Sequence, residues 1–142
     1  MKLSVSKEEL QEKLSNIQNI VEKRNTMPVL SHFLLDAGKK KSYIIATDLE
    51  TAIKEPLDIK VEKEGKLCIP ARKMFEIVRE VDGDITMESE DGQWLKVRAG
   101  MSKFKLACLS AAEFPAWPGM ENVEEMQMDT KNLVEMIEKS LY

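Results

Sequence analysis

Asp48 and Glu50 are the first pair of side chains in this chain whose spacing could support chemistry. On a strand, residues two apart share a face. Both carboxylates could then hold a divalent cation and activate water, as a metal-dependent nuclease requires. The alternative is a pair of structural carboxylates at a strand end, and the remaining chemistry favours it. His32 is the single histidine, no glycine-rich phosphate loop of the P-loop type is present, and no nucleophile has an evident base. Cys68 and Cys108 sit in apolar, strand-like runs, Leu67-Cys68-Ile69 and Leu106-Ala107-Cys108-Leu109. They read as buried free thiols in a reducing cytosol, and a zinc site needs more Cys and His than this chain has. No metal and no other cofactor is expected.

The second kind of chemistry on offer is phosphate binding. Arginine presents a planar fork that makes two parallel charge-assisted hydrogen bonds to a phosphate. Lys23, Arg24, Arg72 and Arg79 all fall on or at the ends of predicted helices; solvated surface charge is the competing reading for each. Lys39-Lys40-Lys41 suits nucleic acid or an ordinary charged hairpin tip. Trp94 and Trp117 could stack on bases, but core or connector packing is the simpler expectation.

The whole chain limits these options. Its 142 residues fit one domain with a tail. Hydrophobic residues make up 43% and charged residues 32%, a globular balance. With 25 acidic against 21 basic residues the net charge is −4. That excludes a protein gripping nucleic acid over its whole surface, so any DNA contact must be local or weak. No apolar run approaches the roughly 18 residues of a membrane helix, and the opening Met-Lys-Leu-Ser-Val-Ser is no secretory signal. A cytoplasmic protein without membrane partners is expected.

The elements that would position these groups follow from periodicity. Met1 to Val5 alternates as a short strand. Ser6 and Glu9 have capping-box spacing, the serine accepting a free backbone N–H while the glutamate reaches back. Leu10, Leu14, Ile17 and Val21 then form one helical stripe, ending near Lys23 because Asn25-Thr26-Met27-Pro28 continues a helix poorly. Phe33 to Ala37 and Tyr43 to Asp48 read as strands around a Gly-Lys-Lys-Lys-Ser turn. Glu50 to Val61 reads as one longer strand with an edge or bulge at Pro56, and Leu67 to Ile69 as a short one. Pro70 introduces a second helix with Met74, Ile77, Val78 and Val81 inward. Ile85 to Glu88, Trp94 to Ala99 and Lys103 to Leu109 close the unit, with hairpin chemistry at Glu90-Asp91-Gly92-Gln93.

Ser110 to Asn122 reads as a connector. Beyond it, Met126-Gln127-Met128-Asp129, Leu133 and Ile137 echo Leu3-Ser4-Val5-Ser6, Leu10 and Leu14 at an offset of 123 residues. Strand, cap and helix recur in order, so residues 1–122 are expected to form one complete domain and 123–142 the opening of a second, truncated one.

Met1-Lys2-Leu3, Arg24-Asn25-Thr26-Met27-Pro28-Val29-Leu30, Thr47-Asp48-Leu49-Glu50, Ile69-Pro70-Ala71-Arg72-Lys73, Val97-Arg98-Ala99-Gly100, Lys103-Phe104 and Ala112-Glu113-Phe114-Pro115 stand in the same order and separation as in the amino-terminal third of bacterial sliding clamps. Each piece alone is weak; together they are specific. The chain resembles that family, the ring-forming beta subunit of DNA polymerase III, over essentially its whole length. The resemblance implies an α+β fold, two helices packed on curved antiparallel sheet. It implies a ring of two head-to-tail subunits around duplex DNA, held without sequence preference. Such a ring confers processivity on the polymerase during DNA replication and is not itself a catalyst. A clamp loader and the polymerase would engage domains that lie beyond this stretch.

Residue by residue, the resemblance puts Arg24 and Arg72 where the family meets the DNA backbone, with Arg79 and Lys23 beside them. Lys73, Lys103, Phe104 and Leu106 fall where the first domain abuts the third domain of the other subunit. Two departures matter. Glu8, Glu12, Glu76 and Glu80 make the helical surface mixed in sign, and Met101 stands where a basic residue is often found. A nuclease built on Asp48 and Glu50, and a free-standing dimerisation module, are the competing functions.

Overall fold

The stripe Leu10, Leu14, Ile17 and Val21 buries as one helical face, joined by Ile20. It belongs to α1 (Lys7–Val21), preceded by β1 (Lys2–Val5). The structure, a computed structural model, describes residues 1–21, 27–117 and 123–141, so the expected helix end near Lys23 lies outside the described residues. Ser6 caps α1 by accepting the Glu9 N–H at 3.2 Å. Glu9 Oε1 in turn takes the N–H of Asp58 at 3.0 Å, tying the helix to a distant loop.

Eight strands and two further helices follow. They are β2 (His32–Ala37), β3 (Ser42–Thr47), β4 (Ala52–Pro56), β5 (Lys60–Lys63), β6 (Gly65–Pro70), α2 (Ala71–Glu80), β7 (Ile85–Glu88), β8 (Trp94–Ala99), β9 (Ser102–Ala107) and α3 (Thr130–Ser140). All pairing is antiparallel. One sheet has five strands in the order β5-β1-β7-β8-β9, the other four in the order β4-β3-β2-β6. Cys68 and Leu109 exchange backbone hydrogen bonds of 3.1 and 3.0 Å, which staples β6 to the chain just past β9.

Alternation decides which faces meet. Leu95, Val97 and Ala99 of β8 are buried while Trp94, Lys96 and Arg98 are exposed. β1, β2 and β7 alternate likewise. The inward residues of both sheets join those of α1 and α2 in one core cluster. This is the α+β architecture expected, with α1 and α2 packed on antiparallel sheet. A smaller cluster on the other side of the four-stranded sheet gathers Val29, Leu30, Cys68, Leu109 and Phe114.

Two expectations are corrected. Residues 50–61 are not one strand. β4 pairs with β3 in the four-stranded sheet, whereas β5 pairs with β1 in the five-stranded one. Between them Leu57 N–H bonds to Ser42 O at 2.9 Å, so the chain leaves one sheet at Pro56 and enters the other at Lys60. Residues 126–128 form no strand: a strand needs a neighbour for its backbone groups, and none is present among the described residues. The helix expected after them does form. Asp129 caps α3 by accepting from Lys131 and Asn132 N–H at 3.0 and 3.3 Å, and Leu133, Val134, Met136 and Ile137 remain exposed.

Candidate functional site

α2 begins directly after Pro70, whose fixed φ and missing N–H suit a helix start. Its inward face, Ala71, Met74, Ile77 and Val78, is buried. The opposite face therefore carries Arg72, Lys73, Glu76, Arg79 and Glu80 into solvent. Arg72 is 89% exposed and its Nε lies 3.4 Å from Glu76 Oε1. Lys73 Nζ lies 3.3 Å from Glu76 Oε2. One glutamate thus holds two cations at i,i+4 and i,i+3 spacing. The Arg79 guanidinium makes no ion pair among the described residues. Glu8 and Glu12 are exposed on α1, so the helical surface is mixed in sign, as the sequence implies. Lys23 and Arg24 lie outside the described residues.

β9 is the edge of the five-stranded sheet and pairs only with β8. Phe104 is half-buried and Leu106 buried, while Lys103 and Lys105 are exposed on the other face. Against this edge α2 leaves a groove of about 350 Å³. Its apolar lining is Ile77, Phe104 and Leu106, and Lys73, Glu76, Glu80 and Lys105 complete it. The structure therefore brings three of the four expected interface residues, Lys73, Phe104 and Leu106, into one groove. Lys103 does not line it. On the sheet's outer face Lys96 pairs directly opposite Lys105, and Arg98 opposite Lys103. Like charges directly opposite repel. None of the four has an ion pair among the described residues. Met101, in the β8–β9 turn, is 100% exposed.

Asp48 is a structural carboxylate. It is buried, and its Oδ1 accepts the N–H of Glu50 at 3.1 Å and of Thr51 at 2.7 Å, closing the turn between β3 and β4. Glu50 is exposed at the turn's tip. No cluster of three or more His, Cys, Asp or Glu among the described residues is placed to hold a metal. His32 Nδ1 lies 3.0 Å from Pro28 O, and burial lowers its pKa. Both cysteines are buried and free. Burial pushes the Cys68 thiol up to about 11 and the Cys108 thiol up to about 12, so both are protonated at neutral pH.

The tryptophans depart from core packing. Trp94 is 41% and Trp117 39% exposed. Lys105 Nζ lies 4.4 Å from the Trp94 ring centroid, and Lys54 Nζ lies 4.3 Å from Tyr43 and 5.9 Å from Trp117. The sequence analysis also missed the full capping box of Ser110 and Glu113. Its S-x-x-E signal was available in a stretch read only as connector.

The model of the DNA polymerase III beta subunit, N-terminal domain, matches residues 1–118. This chain belongs to that family. Among curated relatives, the beta sliding clamp of Caulobacter vibrioides (strain NA1000 / CB15N) is 34% identical over all of this chain and 39% of its own length. That of Chlamydia muridarum is 28% identical, with the same coverage of 100% and 39%. Among solved structures, Caulobacter crescentus pol III beta superposes with a TM-score of 0.86 at 34% identity, over 98% of this chain and 38% of that one. A DNA polymerase III beta subunit from Eubacterium rectale gives 0.85 at 29% identity, over 96% and 38%. The chain thus spans about 39% of the length of the curated clamp relatives it matches. Those clamps carry the same antiparallel two-sheet domain, and none of the described helices here is long and apolar enough to cross a membrane.

Proposed function

We propose that this chain supplies the first domain of a sliding clamp, a ring that encircles duplex DNA and tethers the replicative polymerase without catalysing a reaction. The observation that carries the reading is the unpaired edge strand β9 with its apolar groove beside α2, in a chain that belongs to the clamp family. An edge strand with Phe104 and Leu106 on one face invites sheet continuation by another chain. Lys73 at the groove and Lys103 on the outer face, with Lys96, Arg98 and Lys105, suit an acidic partner surface. That partner is the third domain of a second, head-to-tail subunit. Residues 1–122 are the complete first domain, and 123–142 open the second.

A clamp must hold phosphates without reading bases, because base contacts would create stopping points. Arg72 and Arg79 on the solvent face of α2, with Lys23 and Arg24 near the end of α1, are the groups that meet the backbone. A topological link needs little intrinsic affinity, so a net charge of −4 is compatible with the task. Loader and polymerase bind the domains that follow, in the cytoplasm.

The test is topological. The full-length protein, loaded by its ATP-driven loader onto nicked circular plasmid, is expected to stay bound through gel filtration and to run off once the plasmid is linearised. Equal retention on circular and linear DNA would refute encirclement.

A further inference from the structure

The most enclosed apolar depression outside the β9 groove lies on the far side of the four-stranded sheet. There the β3–β4 turn faces the chain segment that follows β9. The pocket is about 150 Å³ and is lined by Ile45, Leu49, Ala52, Phe114, Pro115 and Trp117, among others. Two of these are large apolar side chains left in solvent, Leu49 at 61% and Trp117 at 39%. Leu49 is held outward by design of the turn. Its φ is +75°, the left-handed region that disfavours a leucine. Thr47 Oγ1 accepts its N–H at 3.0 Å, and Asp48 fixes the next two residues. A leucine exposed on a fixed turn beside an open apolar pocket is a surface with a partner missing.

We infer that this pocket is the seat on which the second repeat of the full-length polypeptide docks, with Leu49 and Trp117 as its anchors. The inference rests on the clamp reading above. The length and direction of the chain select this occupant. One wall of the pocket, residues 114–117, is the beginning of the connector itself, so whatever folds after it is tethered within a few residues of the seat. The family match covers an N-terminal domain, and the relatives are far longer, since this chain spans 39% of their length. Tethering at that range gives an effective concentration in the millimolar range, which an untethered peptide would have to overcome. An apolar side chain from the second repeat would bury Leu49 and Trp117 together, and Lys54 beside Trp117 would sit at the rim.

Thiol labelling of Leu49→Cys tests this, read by peptide mass mapping. The substitution is made both in the 142-residue chain and in the full-length protein. Lys40→Cys, at the tip of the β2–β3 turn, is the exposed control. All carry Phe104→Asp, so that protection cannot come from a second subunit. Cys68 and Cys108, buried and protonated, react slowly. The expected result is that maleimide labels Leu49→Cys about tenfold or more slowly in the full-length protein than in the short chain. Lys40→Cys should react equally in both. Equal labelling of Leu49→Cys in the two proteins overturns the inference while leaving the clamp reading intact. A source gene whose frame encodes no second repeat overturns both.

Discussion

Replacing Asp48 separates a turn-closing carboxylate from a metal-binding one. Its Oδ1 accepts two backbone N–H groups, at 3.1 and 2.7 Å, from a buried position. Hydrogen bonds to a charged acceptor contribute about 1.5–3 kcal/mol each. Glu50 and Thr51 are exposed, so their amides recover part of that from water, and the lower end applies. Asp48→Ala should therefore cost about 2–3 kcal/mol. Asp48→Asn keeps an oxygen in place and loses only the charge assistance, costing about 1 kcal/mol. For a chain of this size those values correspond to falls in Tm of about 6–15 °C and about 3–5 °C. Glu50→Ala, which removes an exposed carboxylate, should stay within about 0.5 kcal/mol. The assay is urea denaturation followed by circular dichroism, with and without magnesium or manganese. A ligand that binds only the folded state raises its stability. The reasoning is refuted if Asp48→Asn is as damaging as Asp48→Ala, or if divalent metal stabilises the native chain but not Asp48→Asn. Either result would return the pair to metal chemistry.

Three further outcomes are expected. The thiols of Cys68 and Cys108 titrate near 11 and 12 in the folded chain against 9.0 for the model value. A folded pKa raised above the unfolded one gives stability that is present below pH 9 and lost as pH rises towards the folded value. Urea titrations at pH 8 and 10 should show a loss about 1–3 kcal/mol smaller in the Cys68→Ala/Cys108→Ala double variant than in the native chain, and equal losses would contradict it. Phe104→Asp in the full-length protein should weaken subunit association by about 30-fold or more, measured by sedimentation, because it places a charge in the apolar groove beside β9. An unchanged dimer would remove β9 from the interface. On DNA, Arg79→Gln should reduce the slope of log K against log salt by about 1 and Arg72→Gln by less. Glu76→Gln, which frees Arg72 and Lys73, should tighten binding at low salt, and a weakening would show that Glu76 positions those cations productively.

The elements with one buried face were legible in the sequence. β8 alternates exposed and buried over all six residues, and α1 and α2 bury the stripes that their spacing marks. Residues 50–61 were misread because their alternation, through Leu57, Ile59 and Val61, runs on across a change of sheet. That change is fixed by partners far along the chain: Ser42 O takes the Leu57 N–H, and Glu9 the Asp58 N–H. Period alone carries no such information. The tryptophans were misjudged for a related reason. Lys105 reaches Trp94 across the β8–β9 pair, where Trp94 stands opposite Ala107, and such a diagonal contact appears only once the register is known. The candidate site divides the same way. Residue types at Arg72, Lys73, Phe104 and Leu106 could be read from order and spacing, but the groove that joins β9 to α2 through Ile77 required the fold. So did the pocket at Leu49 and Trp117.

The β9 edge shows why a chain with this function tolerates an arrangement that costs stability. Lys96 opposite Lys105 and Arg98 opposite Lys103 place four cations on adjacent strands, a repulsive pattern worth some tenths of a kcal/mol per pair. An edge strand left free invites pairing with any other edge, and charged side chains on it are a common defence. Lysine and arginine serve both ends here. They repel a second copy of the same edge, which carries the same charges, and they attract an edge lined with acids. A head-to-tail ring needs that discrimination, since self-pairing of first domains would close the wrong assembly. The groove then supplies the apolar contact area that charge alone does not. The helical face obeys the opposite logic: Glu76 neutralises Arg72 and Lys73 locally, which keeps phosphate attraction weak enough for sliding. Strong, selective contacts at the edge and weak, unselective ones on the helices are the two requirements of a closed ring that moves.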